Sequence, residues 1–536
     1  MKVPPHAEHG VFVYAAKKPY NRSNRKIEGG VDMKKYMMGL DLGTTAVKAV
    51  LFNTTGEYID KETQHYPLHT PNVHIAEQDP DEILEKSMEA IRTLVARNGC
   101  GNSIEFISCS SAMHSMILLD KSGSRLTECI TWADRRSEDV AEAWNTERGV
   151  GIYRRTGTPI HPMSPFIKLL YFKAAHPEMY SRIGKVVGIK EYVLHHLTGV
   201  YEVDKSVASS MGMMNLETSQ WDTEVLEILG LDQAQLPDIV ETTKVYPSLN
   251  RMHQNLGIAE KTKVITGASD GVLANLGVNA IQKGDIAITI GTSGAIRTVI
   301  DAPKTDVKMR TFCYHLTDDH YVIGGPVNNG GVILRWIRDE LCTEEVGEAE
   351  SSGKDPYEVM TQAAKDVGPG SNGLIFHPYL AGERAPLWNA KAVGSFYGLT
   401  LSHERKHMIR AAMEGVIYNL YSVYLALREQ MDTVGSIKAS GGFARSEMWK
   451  QLMADVFGEQ LTVPKSYESS AFGACLLGLY AIGEMKDLDE ASQFVGESDA
   501  YVPDEAVYMK YQEIMSVYIE LGRALEPFYN RMDEIR

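Results

Sequence analysis

Two stretches of this chain repeat one order of apolar and small polar residues. Positions 39–52 read GLDLGTTAVKAVLF and positions 286–300 read IAITIGTSGAIRTVI. Each is an apolar run that breaks at Gly-Thr-Thr or Gly-Thr-Ser and resumes at once as a second apolar run. Short β-branched runs on either side of a glycine break predict paired strands joined by a tight turn. The two copies lie about 250 residues apart, against a domain scale of roughly 100–200 residues. Two related halves are expected.

Elsewhere the pattern alternates between helix and strand. Helical periodicity covers 79–97, opened by Asp79-Pro80, an N-cap followed by proline at the first helical position. Further helices are predicted over 137–147, 165–175 and 190–197. Apolar runs predict a buried strand over 104–110 and a strand pair, 115–120 with 129–132, bracketing the turn Lys121-Ser122-Gly123-Ser124. Between 264 and 277 a strand gives way to a helix through a loop at 267–271. The second half adds a third strand near 320–323, helices over 331–341 and 403–428, a strand over 434–439, a glycine turn, and helices over 446–457 and 471–481. Strands that open as hairpins and then alternate with helices imply two mixed α/β sheets, each covered on both faces and facing the other across a cleft. Ligands of such folds collect beyond strand ends, where these glycine turns fall.

The turns carry the first chemical clue. Gly43 and Gly291 let the backbone approach a ligand closely, and the hydroxyls of Thr44, Thr45, Thr292 and Ser293 add donors beside exposed N–H groups. Such a turn suits phosphate oxygens. It is not a P-loop, because no Gly-Lys-Ser/Thr follows and the next element is a strand.

Composition narrows the class. With 536 residues, 44% hydrophobic and 23% charged, the chain is long enough for at least two cored domains. A formal charge of −16 disfavours nucleic acid as partner and suggests a divalent cation beside any bound phosphate. No window approaches 18 consecutive apolar residues, so no membrane span is expected. The six cysteines lack a Cys-x-x-Cys pair and read as reduced, buried thiols of a cytoplasmic protein. Residues 1–32 are basic and have no apolar h-region. We read them as a disordered leader before a natural start at Met33, the rival being a basic arm for an anionic surface.

The two turns, the run Ala439-Ser440-Gly441-Gly442-Phe443-Ala444-Arg445-Ser446, and Gly394-Ser395-Phe396-Tyr397-Gly398-Leu399 resemble the FGGY carbohydrate kinases, over nearly all of the chain from about Tyr36. Within that family, SSAMHSMILLD, CITWADRRS, GGPVNNGGVILRWIRDE and HPYLAGERAPLWN are most similar to bacterial members that phosphorylate gluconate. One departure is that Lys168 precedes Leu169-Leu170-Tyr171 where the family usually has tryptophan. The resemblance implies two ribonuclease H-like domains of the actin and hexokinase superfamily: a sugar-binding domain over 33–280 and an ATP-binding domain over 281–536.

It further implies ATP and Mg²⁺ as cofactors. Asp270 falls on the family's general base. Asp41, a charge near the end of an apolar strand, is read as a Mg²⁺ ligand through water, with a salt bridge to Lys48 as the structural alternative. Thr44, Thr45, Gly291, Thr292 and Ser293 are expected on the phosphates, joined by the N–H of Gly331 at a helix start. Gly441, Gly442 and Ser446 match the adenosine loop. His114, Trp132, Asp134 and Arg135 are expected on the substrate, and Arg135, Arg136 or Arg384 is the candidate clamp for its carboxylate. Expected partners are these small molecules, with no nucleic acid and no membrane; a homodimer is compatible with the sequence. The alternatives are an FGGY kinase for xylulose or glycerol and, from a different class, a nucleotide switch of the actin or Hsp70 kind.

Overall fold

The computed structural model describes residues 35–249, 253–464 and 468–535. The leader assigned to 1–32 lies outside them. The first sheet grows from a hairpin, β1 (Tyr36–Leu42) and β2 (Ala46–Asn53), to which β3 (Tyr58–His65) adds antiparallel. Helix α1 (Pro80–Asn98) starts where the sequence places it. The Asp79 carboxylate accepts from the N–H of Asp81, and the helix stops at Gly99, whose φ is 58°. Its inner face is Ile83, Ile91, Leu94 and Val95. Strand β4 (Ile104–Ser111) then pairs parallel to β1. After α2 (Pro165–Ala175) and α3 (Ile189–Thr198), β5 (Val245–Tyr246) and β6 (Lys263–Ser269) complete the order β5-β6-β4-β1-β2-β3, with β6 parallel to β4. Helix α4 (Asp270–Gly277) follows β6 directly.

The second sheet repeats this plan. Strands β7 (Ile286–Ile290) and β8 (Gly294–Ile300) form its hairpin, and β9 (Phe312–Thr317) and β10 (His320–Val327) a second one. Helices α5 (Gly331–Leu341) and α6 (Arg405–Arg428) precede β11 (Ile437–Ser440), α7 (Glu447–Phe457), β12 (Leu461–Pro464), α8 (Ser469–Ala481), β13 (Ser498–Tyr501) and α9 (Glu505–Leu525). The order is β9-β10-β8-β7-β11-β12-β13. In both sheets a first strand has an antiparallel hairpin and a third strand on one side and two parallel strands on the other.

Helices α4 and α8 lie between the sheets, in a core that joins Met37 and Phe106 of the first to Val299 and Val322 of the second. They touch backbone to backbone. A Cβ on Gly277 would lie 1.9 Å from the Ser469 carbonyl oxygen, and one on Gly473 2.0 Å from that of Leu273. Although α8 comes from the second half of the chain, it also packs on β1 and β4 of the first sheet.

Three local expectations change. Strand Ile117–Asp120 pairs with Ile183–Val187, and Cys129–Ile130 pairs with Glu77–Gln78, so the predicted ladder shrinks to a bridge between Met116 and Ile130. The helix predicted over 137–147 ends at Ala143, because the Thr146 hydroxyl caps a new helix, Glu147–Thr156. No loop fills 267–271. Gly267, with φ of 69° and its Cα against the Cys109 carbonyl, absorbs a register shift, and the strand continues to Ser269.

Candidate active site

Both Gly-Thr turns have their carbonyl oxygens tied to the scaffold. In the first, Gly43 O accepts from the Tyr66 hydroxyl at 2.5 Å, Thr44 O from Gln78 Nε2 at 2.6 Å, and Thr45 O from the Tyr66 N–H at 3.3 Å. In the second, Gly291 O accepts from the Gly331 N–H at 2.7 Å, Thr292 O from the Val332 N–H at 3.0 Å, and Ser293 O from the Gly291 N–H at 2.9 Å. The N–H groups of Thr44, Thr45, Thr292 and Ser293 have no acceptor among the described residues. A turn whose acceptors are occupied and whose donors are free presents a positive face, which is what an anion requires. The Gly331 N–H, expected on the phosphates, donates to Gly291 and so braces the turn.

Asp270 is the first residue of α4, at the C-terminal end of β6, and Asp41 lies near the matching end of β1. Strand β4 runs between them, with Ser110 in register with both Asp41 and Ala268. The Gly271 N–H donates to Asp270 Oδ1 at 2.6 Å. Burial pushes the Asp270 carboxyl up to about 6; the charge of Asp41 adds to this, and Arg297 and Arg384 oppose it. Asp41 is raised as well, by burial, against a hydrogen bond that Ser110 Oγ donates at 2.7 Å. The alternative ion pair does not form. Lys48 sits opposite Asp41 in the hairpin register, but its ammonium pairs with Glu468 at 2.9 Å, leaving Asp41 Oδ2 without a partner among the described residues. A hard oxygen with an open coordination position beside a turn of free N–H donors fits Mg²⁺.

The residues expected on the substrate divide into braced and open groups. Trp132 Nε1 donates to Thr44 Oγ1 at 2.9 Å, so this indole is tied to the first turn. The Arg384 guanidinium stacks on the Trp132 ring at 4.6 Å, and its Nε donates to Asn328 Oδ1 at 2.7 Å. Burial lowers its pKa to about 10. His114, held at φ of 67°, makes a 3.0 Å hydrogen bond between Nε2 and the Tyr314 hydroxyl. Burial, with Lys168 and Arg384 adding, drives its pKa well below the usual histidine value, so the ring is neutral. Asp134 is fully buried, and both its oxygens accept from Arg136 side-chain nitrogens at 2.8 Å, Oδ2 also from the Ala76 N–H. Arg136 also bridges to Glu77, and Arg135 Nη2 chelates the Glu138 carboxylate. Asp134 and Arg136 thus saturate one another as scaffold.

One arginine escaped the sequence reading. Arg297 of β8 reaches the start of α4 beside Asp270: a Cβ on Gly271 would lie 3.0 Å from its Nε and Nη2. Its apolar-strand setting gave no motif to flag it. The alternation of side chains along β8 carries the signal, since Arg297 and Val299 face α4 and α8 while Ile296 and Ile300 face the other core.

Of the residues expected on adenosine, Gly441 follows β11, adjacent to β7 and its turn, and adopts φ of 105°. A side chain there would strike the Ile290 carbonyl at 2.3 Å. Open space surrounds Gly442 on its Cβ side. Ser446 caps α7, its hydroxyl accepting from the Trp449 N–H at 3.3 Å.

The sequence matches the N-terminal domain of the FGGY family of carbohydrate kinases over residues 36–277 and the C-terminal domain of that family over 286–482. A gluconokinase of Bacillus licheniformis is 52% identical over 503 residues, covering 93% of this chain and 98% of the relative. A xylulose kinase of Bacillus subtilis is 28% identical, covering 90% and 96%. The crystal structure of a gluconate kinase from Lactobacillus acidophilus superposes with a TM-score of 0.88 at 39% identity, covering 93% of this chain and all of that one. The chain belongs to the FGGY family of carbohydrate kinases.

Proposed function

We infer that this protein transfers the γ-phosphoryl group of ATP to O6 of D-gluconate, giving 6-phospho-D-gluconate and ADP. The observation that carries the choice of substrate is the contrast between 52% identity to a gluconokinase and 28% to a xylulose kinase, each over at least nine-tenths of the chain. Residues 33–280 supply the sugar side and 281–536 the nucleotide side. The free N–H groups of the two turns and the hydroxyls of Thr292 and Ser293 receive the phosphates, and Gly441 and Gly442 leave a flat surface for adenine. Ser446 adds its hydroxyl at the edge of that surface.

Asp270 accepts the proton of the O6 hydroxyl as that oxygen bonds to phosphorus. The bond from phosphorus to the ADP oxygen breaks, and the proton leaves to solvent. A carboxylate so placed contributes about 10²–10⁴-fold. Asp41 would hold Mg²⁺ through water; the ion, when bound, neutralises charge on the phosphates. His114, Trp132 and Arg384 orient the acceptor, and Arg135 and Asp134 support that wall. ATP as donor fits a cytoplasmic location, and light scattering reads whether the chain is a homodimer. Among the described residues no helix is long and apolar enough to cross a membrane. The test is coupled ADP release with gluconate, xylulose and glycerol: turnover of gluconate is expected, and turnover of xylulose without gluconate contradicts the reading.

A further inference from the structure

Arg297 is a cation with buried guanidinium nitrogens that the described residues leave without a bond. No nitrogen of its guanidinium has a hydrogen-bond or ion-pair partner among them, and Nε and Nη1 are buried from solvent. The other arginines near the acceptor side are engaged. Arg136 is held by Asp134 and Glu77, Arg384 by Asn328 and the Trp132 ring, and Arg135 by Glu138 and the Ala390 carbonyl. A buried cation without an acceptor is costly, and such a group persists where a ligand completes it.

The surroundings make room for the side chain and aim it. Its stem crosses Gly324 of β10, where a Cβ would come within 2.9 Å of Arg297 Cγ. Its guanidinium reaches Gly271, next to the carboxylate that receives the acceptor hydroxyl. Met113, before His114, closes the same spot, its Cε 2.9 Å from where a Gly271 Cβ would lie. Along β8 the position is four residues beyond Ser293, about 13 Å of strand from the phosphate turn at the usual rise. The intervening residue on its face is Ala295, whose methyl occupies little of it. The turn has its own free donors for phosphate, so this guanidinium lies at the end of the site that an acceptor, not a nucleotide, would fill.

We propose that Arg297 binds the carboxylate of the acceptor and so makes the site selective for sugar acids over neutral polyols and ketoses. The inference rests on the gluconate reading above. A guanidinium fork matches a carboxylate through two parallel N–H···O bonds, and a neutral analogue leaves those donors unmet.

The experiment compares D-gluconate with D-gluconamide, its uncharged isostere, on the full chain and on Arg297→Gln and Arg297→Lys, following ADP release and checking each variant's fold by thermal melting and nucleotide binding. The wild-type chain is expected to favour gluconate in kcat/KM by about a hundredfold, the scale of a lost charge-assisted pair. In Arg297→Gln that ratio should collapse to near unity, chiefly through the KM for gluconate, with Arg297→Lys between the two. Equal use of both compounds by the wild-type chain overturns the proposal without recourse to any variant. So does a folded Arg297→Gln chain that keeps the preference, or one that loses kcat on both compounds equally, which would assign the arginine to the phosphoryl group. In each of those cases brisk gluconate turnover by the wild-type chain leaves the gluconate reading standing. Wild-type turnover of xylulose without gluconate removes that reading and this inference together.

Discussion

The turns at 43–45 and 291–293 share a sequence plan and differ in what holds them. The first is gripped by side chains: Tyr66 and Gln78 tie its carbonyls, and Trp132 bonds the Thr44 hydroxyl. The second is gripped by backbone, the first two N–H groups of α5 taking the carbonyls of Gly291 and Thr292. Its Thr292 hydroxyl stays exposed and without a partner among the described residues. The same donor-rich turn is thus tied by side chains, Trp132 among them, in the first half and by helix backbone in the second.

Predictions follow from breaking each side in turn. The largest effect falls on the group between them. Asp270→Asn keeps the shape of the site and removes its base, so kcat should drop by about 10²–10⁴-fold while calorimetric ATP affinity stays within about twofold. Next is the backbone grip on the second turn. In Gly331→Ala the new methyl meets the Gly291 carbonyl at 2.7 Å, and a displacement costing about 1–3 kcal/mol should raise the KM for ATP by roughly 5–150-fold, with gluconate binding by calorimetry retained.

A pH series sharpens the assignment of the base. Asp270 acts deprotonated and its carboxyl is raised to about 6. The acceptor kcat/KM should therefore be level at higher pH and fall about tenfold per unit as pH drops below 6. His114 is already neutral there and adds no second limb. A smaller effect is expected for the link between the first turn and the pocket. Trp132→Phe keeps a ring under Arg384 but loses the bond to Thr44, about 0.5–1.5 kcal/mol. A cycle with Thr44→Val should show the two changes to be non-additive in the KM for gluconate.

Much of this was legible in the chain itself. The repeated strand, turn, strand pattern located both sheets, because strands buried on both faces read as unbroken apolar runs that only a glycine interrupts. Asp79-Pro80 fixed the start of α1. Strand β3 was missed because YIDKETQH is half exposed and mostly polar. The partner of Ile117–Asp120 was missed because pairing to a strand more than 60 residues later leaves no local trace. In the candidate site, residue types single out Asp270 and the turn hydroxyls as candidates, whereas hydrogen-bond saturation leaves no trace in the sequence. Sequence could not reveal that Asp134 and Arg136 satisfy each other, that Gly331 donates to Gly291, or that Arg297 has no hydrogen-bond partner among the described residues.

The account stands on the two turns gripping one triphosphate through their free N–H groups. A crystal structure with gluconate, Mg²⁺ and a non-hydrolysable ATP analogue measures this directly. We expect phosphate oxygens within about 3 Å of the amide nitrogens of Thr292 and Ser293, and the γ-phosphate between these and Thr44–Thr45, facing O6 and Asp270. Phosphates bound elsewhere, with those four N–H groups still lacking acceptors, would contradict it.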